Sequence, residues 1–286
     1  VGAMGDTDAG TTVDGSLGNI MIGEGAGGAA WSNSAVSNYN VGIGYQTMRG
    51  VLNGALDNVA VGKDSLKDLT TGDDNVAIGT GAAENLTTGK ENVAIGSGAY
   101  ATANTSENYG VAVGFNAANL LDGIDNVTAI GHSALSTMVA VDGNTAVGFE
   151  AGKVTTGANN TYLGFKSGKG ASGAETGNVG VGSNALLSIT SGEYNTVIGF
   201  QAGDALTSMT HNTVIGADAL SASSLVDQCV IIGSQAAATN NVTAAADGTV
   251  AIGYRTLTAL TSGEHNTAIG FEALLTATDA SGCTAV

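Results

Sequence analysis

The chain has 286 residues, of which 45 are glycine and none is proline, and only 5% are aromatic. Its formal net charge of −17 repels phosphate groups, so we expect no nucleic-acid binding. Since no stretch of about 20 apolar residues is present, we expect no membrane insertion in this segment. Glycine at this level, without proline or a three-residue period, predicts a turn-rich repeat protein and argues against collagen and disorder.

A five-residue pattern recurs along the chain, as in Asn195 to Gly199, which read Asn-Thr-Val-Ile-Gly. Its last residue, which we call the marker glycine, occurs 15 times, and twelve of the fourteen spacings are 16 to 18 residues. The marker glycines are Gly23, Gly44, Gly62, Gly79, Gly96, Gly114, Gly131, Gly148, Gly164, Gly182, Gly199, Gly216, Gly233, Gly253 and Gly270. A repeat of this length predicts one coil of a parallel β-solenoid per period.

The three residues before each marker glycine predict a short strand. The first and third of them are bulky and mostly β-branched, whereas the middle one is usually small, such as Ala94 between Val93 and Ile95. Alternate residues of a strand share a face. We therefore predict that the bulky pair fills the coil interior and that the small residue faces outward, where a second chain approaches.

The rest of each period predicts a second short strand or bend, followed by a polar turn. The third residue after the marker glycine is Ala, Ser or Thr, and the next is often Leu, as at Leu66 and Leu186. Turns such as Thr70-Thr71-Gly72 follow, and we expect their glycine to supply a positive φ.

Stacked at about 4.8 Å per coil, fifteen coils predict a rod of roughly 70 Å. Each coil encloses few large side chains, so a single stack buries little apolar surface against the entropy of ordering it. We therefore predict an oligomer, with a homotrimer as the preferred state.

Asparagine begins the pattern in 11 of the 15 copies, and the exceptions are Gly110, Val127, Cys229 and Thr249. Stacked asparagines form ladders that satisfy turn backbone groups and one another's amides. We prefer this structural role over ligand binding. The predicted ladder includes Asn75, Asn92, Asn195, Asn212 and Asn266.

Aromatic residues concentrate directly after the marker glycine. This slot holds Phe115, Phe149, Phe165, Phe200, Phe271, Tyr45 and Tyr254. Because it also accepts Lys63 and Glu24, we place it at the periphery. The preferred interpretation is a seam between chains or a partly exposed corner, and the alternative is an aromatic stripe that stacks on receptor sugars.

Two insertions interrupt the period, near residues 27–37 and 237–248. Insertions in solenoids become loops on one face, which is often functional. The first contains the single tryptophan, Trp31, for which a local plug is the preferred interpretation. Cys229 and Cys283 both occupy the asparagine slot and are predicted to be free packing residues, with a disulfide as the alternative.

No arrangement of residues predicts catalysis. Only three histidines are present, and His211 and His265 lie three coils apart, roughly 14 Å by the coil spacing, which is too far to share a metal. Acidic turns such as Gly72-Asp73-Asp74 lack the spacing of calcium-binding repeats, although weak binding stays open. We expect no enzyme activity, no cofactor and no metal site.

The chain ends on Cys283-Thr284-Ala285-Val286, a copy of the pattern that lacks its glycine, and no atypical capping repeat stands at either end. We therefore expect residues 1–286 to be a single repeat domain of about 15 coils, an internal slice of a longer fibre.

The repeat, as in Asn-Thr-Ala-Ile-Gly-Phe-Glu-Ala-Leu-Leu at 266–275, resembles repeats of bacteriophage and marine-virus tail-fibre proteins. It is also similar to the shorter head repeats of bacterial trimeric autotransporter adhesins. The resemblance implies a left-handed, trimeric parallel β-roll with its axis along an extracellular fibre. It implies a structural segment of a virion fibre that reaches toward a cell-surface glycan or protein. The alternatives are a bacterial surface adhesin or extracellular filament and, less favoured, a glycan-degrading tailspike.

Overall fold

The computed structural model describes residues 16–28, 31, 34–102, 106–120, 125–137, 142–170, 173–222, 226–238 and 246–286. The chain divides into two compact units, Val1–Gly143 and Asn144–Val286. Across the described ranges the regular structure consists of parallel β-strands without an α-helix. Accordingly, these ranges contain no helix with the length and apolar character needed to cross a membrane.

The first unit is a stack of short parallel strands. Its strands are β1 (Ile20–Ile22), β2 (Val41–Ile43), β3 (Val59–Val61), β4 (Val76–Ile78), β5 (Val93–Ile95), β6 (Val111–Val113) and β7 (Thr128–Ile130). Each pairs with the next in the same register, so that Val76, Ala77 and Ile78 lie beside Val93, Ala94 and Ile95. Every coil therefore places equivalent residues in one column.

The second unit repeats this arrangement. Its strands are β8 (Thr145–Val147), β9 (Thr161–Leu163), β10 (Val179–Val181), β11 (Thr196–Ile198), β12 (Thr213–Ile215), β13 (Val230–Ile232), β14 (Val250–Ile252), β15 (Thr267–Ile269) and β16 (Thr284–Ala285). Neighbouring strands are again parallel and in register, for example β11 with β12. The predicted parallel β-solenoid, with one coil per period of the sequence, is confirmed.

The marker glycine ends each strand at a corner that other residues could not adopt. Gly199 has φ of 146°, and the other marker glycines lie in the same positive range. A Cβ atom at Gly199 would also overlap the backbone carbonyl of Gly216 in the next coil. Glycine is thus required by backbone conformation and by the close stacking of successive corners.

The prediction for the two strand faces is wrong. The middle residue of every complete strand is buried, as at Ala94 and Val197, whereas the flanking side chains are half-buried or exposed, as at Ile95 and Ile198. The small residue therefore points into the coil. The surface that approaches it closely is the opposite leg of the same stack, not a second chain.

The opposite leg explains why the inward strand position is small. The third and fourth residues after the marker glycine are buried, as at Ser65 and Leu66. The Ser65 hydroxyl donates a hydrogen bond to the Ala77 carbonyl of the next strand at 2.9 Å. Since the two legs lie within hydrogen-bonding distance, a large residue on both would not fit.

This second leg is a run of turns, not a strand. The second and fourth residues after the marker glycine adopt positive φ even when they are not glycine. At the fourth position, φ is 46° for Leu66 and 53° for Leu186. The coils still pair here, because the Leu66 amide donates to the Ala82 carbonyl at 3.0 Å. The expected positive φ at Gly72 is absent; a Cβ atom there would instead overlap the Gly89 carbonyl oxygen, so space is what selects glycine.

The first insertion is partly described. Trp31 is buried, and its indole N–H donates to the Gly27 carbonyl at 3.2 Å. Gly27 also lies against Met21, the inward residue of β1, so the indole closes over the interior of this coil as a plug. Residues 29, 30, 32 and 33 of this insertion, and 239–245 of the second, lie outside the described residues.

Candidate functional surfaces

The asparagines form a buried ladder inside each unit. The Asn75 side-chain amide donates to the Asn58 side-chain carbonyl at 2.9 Å and to the Gly89 backbone carbonyl at 2.8 Å. Its own carbonyl oxygen accepts from the backbone amide and the side chain of Asn92, at 3.1 and 3.0 Å. Asn195 and Asn212 repeat this geometry, with the amide of Asn212 donating to Asn195 at 3.0 Å.

The ladder is interrupted where the sequence departs from asparagine. The backbone amides of Gly110 and Cys229 still donate to the side-chain carbonyls of Asn92 and Asn212, both at 2.9 Å. Neither Gly110 nor Cys229 has a side-chain amide that could continue the ladder. Thr249 is buried with an unpartnered hydroxyl among the described residues. Asn266 lies after that break and donates to the Gly263 carbonyl at 2.8 Å. In the described ladder the asparagine amides bond to one another and to turn carbonyls, which is the structural role that the sequence analysis preferred.

Both cysteines are free thiols. Cys229 is buried beside a small void of about 10 Å³. Burial raises the pKa of its thiol to about 11, so the reactive thiolate is disfavoured.

The aromatic slot after the marker glycine is on the surface. Between two-fifths and three-quarters of each side chain is exposed at Tyr45, Phe115, Phe149, Phe165, Phe200, Tyr254 and Phe271. These residues do not form one stripe. They occur as short stacks, such as Phe149 on Phe165 with ring centroids 5.3 Å apart, separated by coils with Ser183 or Ala217 in the slot.

The outward side of the strands, which we call the outer sheet face, exposes aliphatic side chains in each unit. It consists of the first and third strand residues, which point away from the interior. The last strand residue is at least 36% exposed at Ile22, Ile43, Ile78, Ile95, Ile130, Leu163, Ile198 and Ile269. Monomeric soluble proteins rarely expose contiguous apolar patches above a few hundred Å².

A cationic cluster lies beside the aromatic stack of the second unit. Glu150 forms two ion pairs. One carboxylate oxygen lies 2.7 Å from the Lys153 ammonium nitrogen, and the other lies 3.0 Å from that of Lys169. Hydrogen bonds from both ammonium groups lower the pKa of Glu150 to about 2. Lys166 places its ammonium over the Phe165 ring, 4.9 Å from the centroid. The signal was present in the sequence, as three lysines within 17 residues of an acidic chain.

A buried acid lies inside the same unit. Glu175 is fully buried, and neither carboxylate oxygen makes a well-formed hydrogen bond within the described residues. Burial raises its pKa to about 7, partly opposed by its backbone amide and the Thr155 hydroxyl. Tyr162 is buried close by, and loss of solvation followed by the Glu175 charge raises its pKa as well. Glu175 occupies a turn position held elsewhere by Gly, such as Gly192. Periodicity alone does not show that a side chain at this position is buried.

Metal ligands are not brought together. Among the described residues, no group of three or more His, Cys, Asp or Glu side chains could hold a metal ion. The His211 ring packs against the Tyr194 ring, tilted by 37° with centroids 5.2 Å apart, and the Nδ1 atom of His265 lies 3.6 Å from a carboxylate oxygen of Glu264. The histidines therefore have surface neighbours instead of a shared ligand.

Compared with protein-family models, with curated proteins and with solved structures, the chain matches none of them.

Proposed function

We propose that this chain is a structural segment of an extracellular, trimeric fibre of the virion tail-fibre type, which projects toward a cell surface and helps attachment. It acts as a scaffold without enzyme activity or a cofactor. The outer sheet face is the observation that carries this proposal. Its columns repeat in register through the coils of each unit, as a lateral contact between copies of a repeat protein requires.

The exposure of aliphatic side chains on this face supports association with further copies of the chain. Ile78 and Ile95 are 40% and 36% exposed in adjacent coils, and the equivalent strand positions elsewhere are again aliphatic. Covering such a surface removes apolar area from water at roughly 25 cal/mol per Å². A repeat protein can make the same contact in every coil. Packing against another copy can therefore bury the apolar area that the small interior of each coil does not bury.

The three-fold state rests on the resemblance of the repeat to tail-fibre and adhesin-head repeats. An exposed apolar face is compatible with association but does not determine the number of copies, which closed symmetry would set. The small coil interior favours an obligate assembly, because the isolated stack has little apolar volume to offset its ordering entropy.

The first prediction concerns the mass of the purified chain. Size-exclusion chromatography with multi-angle light scattering should give three times the chain mass of 27.8 kDa. Replacing Ile78 and Ile95 together by Asp should shift the mass to that of one chain, because two unpaired charges would be buried at the contact.

Val51→Asp is the matched control, since Val51 is an apolar residue with 48% exposure that lies outside the strands. It should leave the mass unchanged. A wild-type chain that is monomeric at micromolar concentration would refute the trimer, and an assembled double variant would refute this face as its contact.

The virion assignment has its own test. Gold-labelled antibodies against the chain should decorate a fibre on virus particles in negative-stain images. Labelling of a bacterial envelope instead would favour the adhesin or filament alternative. Depolymerisation of a host glycan that disappears when one acidic pair is mutated would favour the tailspike.

A further inference from the structure

The second unit carries a local positive surface on a strongly acidic chain. Three of the eight Lys and Arg residues, Lys153, Lys166 and Lys169, lie in two adjacent coils. The chain as a whole has 25 acidic residues, but residues 143–174 contain only one of them, Glu150, so this stretch differs in charge from the rest of the sequence. A local patch of this kind selects an anionic ligand even when the net charge is negative.

Glu150 orders this surface without neutralising it. It holds Lys153 and Lys169 at 2.7 and 3.0 Å and so fixes the direction of both ammonium groups. Lys166 has no carboxylate partner within the described residues and rests over the Phe165 ring. One carboxylate among three ammonium groups leaves an excess of positive charge on preorganised side chains.

Lys166 and Lys169, two of the three lysines, line a groove that has an aromatic wall. The groove has a volume of about 530 Å³ and is lined by Phe165, Lys166, Lys169, Asn184, Leu187 and Ser188. Phe165 is 47% exposed and stacks on Phe149 with the two rings inclined by 12°. The groove volume lies within the range typical of small-ligand sites.

These groups match the chemistry of one class of ligand. A phenyl face packs on the C–H face of a sugar ring, an amide and a hydroxyl such as Asn184 and Ser188 pair with sugar hydroxyls, and ammonium groups pair with acid groups. We propose that this groove binds an acidic glycan, whose sugars bear carboxylate or sulfate groups.

Two other anions fit less well. Nucleic acid would meet the field of the remaining acidic surface, because its phosphates are dense and the positive area is small. An acidic peptide would use the lysines but would have no ring to place on Phe165.

This site deepens the proposed function and rests on it for its biological use, since a lateral glycan site serves a fibre that meets a cell surface. Binding itself does not depend on the oligomeric state or on the parent structure. A failure here therefore leaves the scaffold proposal intact, and a failure of the mass or labelling tests leaves the groove intact.

The test is calorimetric titration of the full chain with oligogalacturonate, which is carboxylated, and with heparin oligosaccharide, which is sulfated. Maltooligosaccharide is the neutral comparison and polyglutamate the acidic peptide. We expect binding to at least one acidic glycan, weakened by added salt, and no binding to the neutral glycan. Binding to oligogalacturonate alone assigns a carboxylated ligand, and binding to heparin alone assigns a sulfated one.

Two variants use residues that equivalent slots already carry, so that folding is preserved. Phe165→Ser copies Ser183, and Lys166→Gln copies Gln201. Each should weaken acidic-glycan binding about tenfold, as expected for loss of a stacking platform or a charge-assisted pair.

Lys63→Gln removes an exposed lysine in the first unit and should leave binding unchanged. Unchanged melting temperatures establish that the variants are folded. The inference is overturned if no acidic glycan binds, if polyglutamate binds equally well, or if Lys63→Gln weakens binding as much as Lys166→Gln.

Discussion

At the scale of single residues, the asparagine ladder shows why one amide side chain dominates its slot. Asn195 donates to Asn178 at 2.9 Å and to the Met209 carbonyl at 2.6 Å, and its carbonyl accepts from Asn212. These groups are buried, and an unpaired buried polar group costs about 1–3 kcal/mol. Asparagine alone combines two donors and an acceptor in a side chain short enough for this position.

Restoring the ladder should stabilise the second unit. Thr249 occupies the asparagine slot, its hydroxyl has no hydrogen-bond partner among the described residues, and it lines the void beside Cys229. We expect Thr249→Asn to raise the free energy of unfolding by about 1 kcal/mol, through new bonds to its neighbours in the stack. Urea denaturation followed by circular dichroism measures this change.

Asn195→Thr is the reverse substitution and should lower stability by at least as much, because it leaves Asn178 and Asn212 without their partner. If Thr249→Asn and Asn195→Thr both raised or both lowered the free energy of unfolding, the ladder would not be a source of stability.

The buried carboxyl of Glu175 should make stability depend on pH. Its pKa is about 7 when folded, against an ordinary value of 4.5 when unfolded. Between these values the unfolded chain binds fewer protons, so the free energy of unfolding should fall as pH rises from 4.5 to about 7. Urea midpoints at several pH values measure this.

Glu175→Gln should abolish the pH dependence in that window, because the amide stays neutral in both states. Glu264→Gln, at an exposed position of the same unit, should retain it. A wild-type midpoint that rises steadily across the window would show that Glu175 is not kept protonated by the fold.

At the scale of the coil, large and small residues compensate one another across the interior. Tyr162 fills the inward strand position that is usually Ala, and Gly168 opposite leaves room for its ring. Tyr100 occupies a slot that holds leucine at Leu66, and its phenol fills the space of the missing side chain at Gly110. The packing unit is therefore a pair of neighbouring positions, not a single slot.

This compensation predicts a strong coupling between Tyr100 and Gly110. Gly110→Asn restores the asparagine of the ladder but should destabilise the chain by about 1–3 kcal/mol, because it overlaps the Tyr100 hydroxyl. Adding Tyr100→Leu should recover most of that loss. A double-mutant cycle in urea measures the coupling, and additive effects would contradict the shared-space explanation.

The second leg of the coil carries conformational strain that packing offsets. Left-handed backbone costs about 1–2 kcal/mol at a non-glycine residue, and Leu66, Leu186 and Leu257 adopt it at φ of 46°, 53° and 51°. Each of these side chains is fully or almost fully buried. The turn points leucine into the interior opposite the small strand residue, and the burial favours the strained backbone.

At the scale of the whole molecule, each unit presents two kinds of surface. The strands expose aliphatic columns, whereas the turns carry most of the charge that gives the chain its value of −17. Charge repels copies at the turns and apolar area attracts them at the strands. The association that we propose through the outer sheet face is compatible with both effects.

The sequence by itself determined the period, the parallel in-register stacking and the slots of the marker glycine and the asparagine. These follow from local rules, since a repeat of about 17 residues that cannot bury itself must stack on its neighbours, and stacking aligns identical slots. The solenoid could be predicted because such rules need no knowledge of distant contacts.

Only the tertiary structure decided which strand face is inside. Alternation separates Val93 and Ile95 from Ala94 but does not say which set is buried. Which set is buried depends on the space between the two legs of the coil. Leucines in the left-handed turns of the second leg occupy most of that space, so only a small strand residue fits opposite them. The same packing buries Glu175 and brings Lys169 to Glu150, because residues of different coils become neighbours only when the coils stack.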